Sequence, residues 1–220
     1  MTSRRRYEAV LFDLDGTLVD SFEALTTAVN VVRCAAEMPA MGIETVRQFV
    51  GEGVEKLLER VLESERVEAR LRRIFESAYD DICCQQSTVL AEVEETLDHL
   101  GAAGVRMAVC TNKPTGFSRK ILEHFGMSRY FDAIVGPDLA LARKPDPRHL
   151  LHTLAFTQRE ASESLFVGDM PIDVDAARNA GVDVATVATG PASREVLAAS
   201  HPDYMLERFS DLVGLVLTSR

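Results

Sequence analysis

Positive charge is what this sequence most lacks. Its 220 residues carry 24 lysines and arginines against 34 aspartates and glutamates, a net charge of −10 at pH 7. Such a chain has no overall field to attract nucleic acid or an anionic membrane surface. An anionic small molecule must then be held by a local cluster of cations. Long apolar runs are missing as well. The opening MTSRRRYEAVLF has the basic flank of a signal peptide, but Asp13 and Asp15 interrupt the apolar stretch before it reaches the length of an h-region. The sequence predicts no export signal and no membrane span. The cysteines, Cys34, Cys83, Cys84 and Cys110, lack the spacing of a disulfide framework. The adjacent pair has no CxxC partner or nearby histidine to complete a metal site, so all four read as buried or idle thiols of a cytoplasmic protein. Internal repeats and low-complexity tracts are absent. A hydrophobic content of 46% remains, enough at this length for one core domain with a modest insertion.

Short β-rich runs alternate with helical patterns: EAVLF, VRMAVC, FDAIVG, SLFVG and VDVATVA. That alternation predicts an α/β fold, a Rossmann-like parallel sheet with helices on both faces. Leu97 and Leu100 mark a helical face before the second run, and Leu150, Leu151 and Leu154 mark one before the fourth. Gly101 with Gly104, and Gly181, stop the helices before them. From Val19 to about Ser87 no strand pattern occurs. There Val54, Leu57, Leu58, Val61 and Leu62 follow helical spacing, as do Val67, Leu71, Ile74, Phe75 and Ala78. Asp20, three residues before Glu23, resembles a capping box. A crossover helix needs only about a dozen residues, so the interval predicts an inserted all-helical subdomain over residues 19–87, with the core in 1–18 and 88–220.

Ligands of open parallel sheets sit beyond the carboxyl ends of the strands, and four of those ends carry polar residues. Asp13-Leu-Asp-Gly-Thr17 puts two carboxylates on one side of an extended chain. One suits attack on phosphorus and the other proton transfer, and their mutual repulsion implies a Mg²⁺ ion. Gly16 allows the tight turn that follows. Thr111-Asn112-Lys-Pro offers a hydroxyl, an amide and turn N–H groups to phosphate oxygens. In Lys144-Pro-Asp-Pro, Pro145 restricts Lys144 to an extended backbone and fixes the direction of an ammonium that offsets negative charge. In Gly168-Asp-Met-Pro-Ile-Asp-Val-Asp175, Asp169 and Asp173 are spaced to face one hard cation. Asp175 suits only a helix N-terminus.

These four signatures in this order resemble the haloacid dehalogenase superfamily over essentially the whole chain. The resemblance implies that Asp13 is the nucleophile and a Mg²⁺ ligand, and that Asp15 is the general acid/base whose backbone carbonyl also meets the metal. It implies Thr111, with Asn112, and Lys144 as phosphate-binding residues, Asp169 as a direct metal ligand and Asp173 as its outer support. Residues 19–87 would then form the helical cap. Asp15 favours phosphoryl chemistry over dehalogenation, because a halide leaves without protonation. Lys56, the only lysine of the cap segment, lies among Glu52, Glu55 and Glu59 on a predicted solvated face. It is therefore not read as the Schiff-base lysine of phosphonate-cleaving relatives.

The segment Phe49-Val-Gly-Glu-Gly-Val-Glu-Lys-Leu-Leu-Glu-Arg60 is similar to phosphoglycolate phosphatases. Gly51 and Gly53 would bring backbone N–H groups to a small anion, and Arg47 and Arg60 are candidate carboxylate partners alongside a surface role for each. One departure is Leu90-Ala-Glu-Val93, where those phosphatases carry a proline-glycine turn. The expected activity is hydrolysis of a small phosphate ester, 2-phosphoglycolate first, by a monomer or homodimer. Other small-phosphate hydrolysis, sugar phosphate mutation and non-catalytic binding of a phospholigand are the alternatives.

Overall fold

A computed structural model describes residues 6–218. The first five residues, with most of the basic flank, lie outside the described range. Along the chain the strands are β1 (Ala9–Phe12), β2 (Val19–Asp20), β3 (Thr88–Val89), β4 (Arg106–Cys110), β5 (Ala133–Val135), β6 (Ser164–Gly168), β7 (Asp183–Val187) and β8 (Tyr204–Leu206). Before β3 come the helices α1 (Phe22–Ala35), α2 (Ile43–Arg47), α3 (Val54–Val61) and α4 (Ala69–Ile82). After it come α5 (Val93–Ala102), α6 (Thr115–His124), α7 (Pro137–Ala140), α8 (Pro147–Ala155), α9 (Pro171–Ala180), α10 (Arg194–Ala199) and α11 (Asp211–Leu217).

Six strands form a parallel sheet in the order β5-β4-β1-β6-β7-β8. Each of the five β-rich runs is a strand of it. β8 was not anticipated, because a run of three residues, of which only Leu206 is buried, is too short to show a strand pattern. Alternate side chains feed two cores. Val10, Phe12, Val109 and Val167 pack with Leu97, Leu100, Ile121 and Leu212 on one face. Leu11, Cys110, Phe166 and Val184 pack with Leu150, Leu154, Val174 and Ala177 of α8 and α9 on the other. A period of two that is apolar on both sides is the signature of a strand covered by helices.

Between β1 and β4 the chain runs out through α1 to α4 and returns. The expectation of no strand in that interval fails at its start: Val19 and Asp20 pair antiparallel with Val89 and Thr88. Two residues carry no readable alternation, so only the tertiary pairing identifies them. The capping box is also replaced. Phe22 N–H donates to Asp20 Oδ1 (3.1 Å), which places Asp20 one residue before the N-cap position at Ser21. Leu151 is 44% exposed and leaves the buried face of α8 to Leu150 and Leu154. Gly101 lies within α5, and Gly104, with φ +74°, follows its end. Gly181 does cap α9, at φ +69°. Glu92 adopts φ +65° before α5, where a proline-glycine turn was the resemblance's pattern.

Candidate active site

Register assembles the site. Phe12 is level with Val109 of β4 and Val167 of β6, so Asp13, Thr111 and Asp169 emerge together at the carboxyl edge of three adjacent strands. Asp13 N–H still donates to Val167 O (2.9 Å) and Thr111 N–H to Val135 O (3.1 Å), which holds both backbones while the side chains leave the sheet. The hydroxyl of Thr111 accepts from Lys113 N–H (3.2 Å).

Lys144 is buried at the centre. Its Nζ lies 2.9 Å from Asp13 Oδ1 and 2.7 Å from Asp173 Oδ1. Burial works against its charge, but Asp13 and Asp173 outweigh burial and hold the ammonium above its ordinary range. The residue that orients this loop is Asn112. Its Oδ1 accepts from Lys144 N–H (2.8 Å), and its Nδ2 donates to Lys144 O (3.2 Å) and to Gly51 O (3.0 Å). The Asn112 amide, expected among phosphate-binding groups, is thus committed to the Lys144 backbone and to the inserted segment. The Lys144–Pro145 peptide is cis.

Asp173 has both oxygens engaged. Oδ2 accepts from the backbone N–H groups of Asp169 (3.1 Å) and Met170 (3.0 Å), while Oδ1 takes Lys144. Burial pushes its carboxyl up to about 6, against the pull of Lys144. Asp169 differs. Thr17 Oγ1 donates to its Oδ1 (2.6 Å), but Oδ2 is buried without a partner. Burial first, then Asp173 and Asp13, raise its carboxyl well above the usual range. Oxygens of Asp13, Asp169 and Asp173 lie within 4.8 Å of one another. Three buried carboxylates around one ammonium, with one oxygen unpartnered, fit a hard divalent cation. Asp169 keeps an oxygen free for ligation, whereas both oxygens of Asp173 are already hydrogen-bonded.

Asp15 stands apart from that cluster. Lys113 Nζ donates to both of its oxygens (3.0 and 2.9 Å), and Ser21 Oγ donates to Oδ1 (2.5 Å). Lys113 Nζ also lies 4.6 Å from the ring centroid of Tyr79 on α4. Above these residues a cleft opens between the sheet edge and the inserted helices. Asp13, Asp15 and the Thr111–Lys113 turn, Asn112 included, line one side, and Leu25, Val50, Gly51, Gly53, Val54 and Leu57 line the other.

Gly51 and Gly53 are therefore at the cleft, with φ +120° and +95°. A Cβ at Gly51 would overlap Met170 Sδ, and one at Gly53 would lie 3.4 Å from Asn112 O, so both allow the close approach of this loop to the sheet edge. Arg47 and Arg60 are not among the cleft's lining residues. Arg47 lies over Phe22 (4.4 Å to the centroid) and pairs with Asp20 at 3.4 Å, and Arg60 binds Phe49 O and Glu52. Lys56 pairs with Glu59 at 2.6 Å with its side chain half exposed, the solvated face expected of it. Asp175 pairs with Arg178 on the surface of α9 (3.5 Å). The four cysteines are free thiols.

Sequence reasoning missed Lys113, Ser21, Thr17 and Gly190 as members of the site. A Cβ at Gly190 would overlap Asp169 Oδ2, and Thr189 Oγ1 donates to Gly16 O (2.6 Å), so the loop after β7 closes against the Asp13–Thr17 turn. The rule that singled out the other four strand ends, applied to VDVATVA, leads directly to that loop. Lys113 had no such signal, because inside a turn motif nothing in the sequence says which way a lysine points.

The sequence pattern of haloacid dehalogenase-like hydrolases matches residues 10–187. A phosphoglycolate phosphatase of Pectobacterium atrosepticum is 37% identical over 93% of this chain and 90% of its own length. One from Vibrio parahaemolyticus is 37% identical over 96% of both chains. The crystal structure of a predicted phosphoglycolate phosphatase from Haemophilus somnus superposes with a TM-score of 0.89 at 30% identity, covering 96% of this chain and 98% of that one.

Proposed function

The chain belongs to the haloacid dehalogenase-like hydrolase family, and from that premise we propose that it is a Mg²⁺-dependent phosphatase of small phosphate monoesters, with 2-phosphoglycolate as substrate. The observation that carries the reading is the division of labour among the acids. Asp13 meets the buried Lys144 ammonium, Asp169 keeps an unpartnered oxygen, and Asp15 is held separately by Lys113 and Ser21.

In this reading Asp13 attacks phosphorus and becomes an aspartyl phosphate. Asp15 protonates the leaving alkoxide, then takes a proton from the water that hydrolyses the intermediate. Lys144 offsets the negative charge gathered by nucleophile and phosphate, while Thr111 and the turn N–H groups after it meet phosphate oxygens. Asp13, Asp169 and the Asp15 backbone carbonyl would hold Mg²⁺, with Asp173 as support; when bound, the ion neutralises phosphate charge beside the nucleophile. Residues 19–87 act as a cap over a core of 1–18 and 88–220, excluding water during transfer. A cytoplasmic setting belongs to the same reading, supported by the free thiols; among the described residues no helix is long and apolar enough to cross a membrane.

The test compares kcat/KM with Mg²⁺ across 2-phosphoglycolate, sugar phosphates, nucleotides and pyrophosphate. 2-Phosphoglycolate should lead the series. Asp13→Asn should reduce turnover at least about 10³-fold, as expected for a lost nucleophile, with the circular dichroism spectrum unchanged. Appreciable retained activity would exclude the covalent route, and an isomerised sugar phosphate without net phosphate release would replace the hydrolase by a mutase.

A further inference from the structure

The two arginines that the sequence offered for a substrate carboxylate do not line the cleft, and one cation does. Lys113 is the only lysine or arginine among its lining residues. Its side chain is 5% exposed, and the Nζ sits between the two oxygens of Asp15 and the face of Tyr79. Opposite it the wall is apolar, with Leu25, Val50 and Leu57. Asn112 has no spare side-chain hydrogen bond to give, because its donor and acceptor are committed to Lys144 and Gly51.

Resting on the phosphatase reading, we propose that Lys113 is the specificity-determining residue that binds a carboxylate carried by the substrate close to its phosphate ester. One ammonium facing an apolar wall matches one further negative charge, and a monovalent carboxylate is the small group that supplies it. Asp15 is the stand-in for that group in the ligand-free protein. When a substrate carboxylate takes the ammonium, Asp15 stays held by Ser21 Oγ on Oδ1 alone, and its Oδ2 is released to face the leaving oxygen. Esters without a carboxylate leave Lys113 on Asp15 and lose both the contact and the release. Selectivity for a phosphorylated hydroxy acid is then built into the sheet edge, while the cap supplies the enclosing wall.

The test pairs 2-phosphoglycolate with ethyl phosphate, which has a methyl group where the carboxylate was, and measures kcat/KM for both with Mg²⁺ in wild type, Lys113→Met and Lys113→Arg. Losing a hydrogen bond between charged groups should lower the preference for 2-phosphoglycolate by roughly 10–100-fold in Lys113→Met, mainly through KM, with partial recovery in Lys113→Arg. An equal loss on both esters would mean that Lys113 acts only through Asp15 and would overturn the proposal. So would a ratio that Lys113→Met leaves untouched. Wild-type protein inactive on both esters would instead overturn the phosphatase reading and this assignment with it. Should the variants not fold, inhibition of wild type by 3-phosphonopropionate and by propylphosphonate decides. Tighter binding of the carboxylate compound supports the assignment, and equal binding overturns it.

Discussion

His149 is fully buried beneath the site, with Nε2 placed to donate to Val135 O (3.2 Å) and Nδ1 without a partner. Burial, then the Lys144 ammonium, lower its imidazole from 6.5 to about 4. The folded chain therefore keeps this ring neutral where the unfolded chain protonates it. Above pH 6.5 both states are neutral and the ring has no effect on stability through its charge. As pH falls from 6.5 toward about 4, the unfolded state gains a proton that the folded state refuses, and stability is lost, by up to about 3 kcal/mol. Urea unfolding of wild type and His149→Gln across that window should show the wild type losing ground relative to the variant. A constant difference between them would show that the ring takes up its proton as readily in the fold as in the unfolded chain.

At the scale of elements, one buried arginine ties the inserted helices together. Arg33, in the last turn of α1 and 4% exposed, donates from Nε to Pro39 O (2.6 Å) and from Nη1 to Val61 O at the end of α3. A helix end leaves carbonyls without intrahelical partners, and Arg33 satisfies one of α3's together with one of the loop that follows α1. Arg33→Met keeps much of the side-chain volume but strands both acceptors. It should cost about 2–4 kcal/mol, read as a lower urea midpoint with an unchanged slope. Glu92 shows a related compensation on the core side. It holds the left-handed backbone before α5 where the resemblance led to proline-glycine, and its carboxylate binds Arg208 and Ser210 N–H (3.1 Å). Side-chain contacts supplied from α11's approach thus stabilise a turn that glycine would adopt without them.

The proposed cation site would couple to the whole molecule, because its acids come together only when β1 and β6 lie side by side. Asp13 and Asp169 are 156 positions apart in sequence, and in the unfolded chain they are separate solvated acids. A divalent cation that binds only the folded arrangement stabilises the entire fold by mass action. At about 100 times its dissociation constant, Mg²⁺ should raise the melting temperature by about 5–10 °C. Asp169→Asn should abolish most of that rise, while removing a buried negative charge should keep the metal-free protein folded. A full Mg²⁺ response in the variant would exclude Asp169 as a ligand.

The sequence by itself determined the parallel α/β core, the helical insertion and the acids at the strand ends. These follow from local rules: strands buried on both faces must be apolar, and groups that meet a ligand must stand where a strand ends. Asp13, Thr111 and Asp169 stand at strand ends for that reason, whereas Lys144 lies nine residues past the end of β5, beyond α7, and Asp173 lies within α9. Tertiary structure alone decided which polar groups remain available. Asn112 looked like a phosphate binder until its amide was found holding Lys144 and Gly51, and Arg47 and Arg60 looked like carboxylate partners until each was found paired elsewhere. Lys113 looked like part of a turn and lies in the cleft against Asp15. A hydrogen bond or ion pair between distant residues depends on the direction of a side chain after the chain has closed. Sequence spacing carries that direction along one strand or helix, and loses it across a turn.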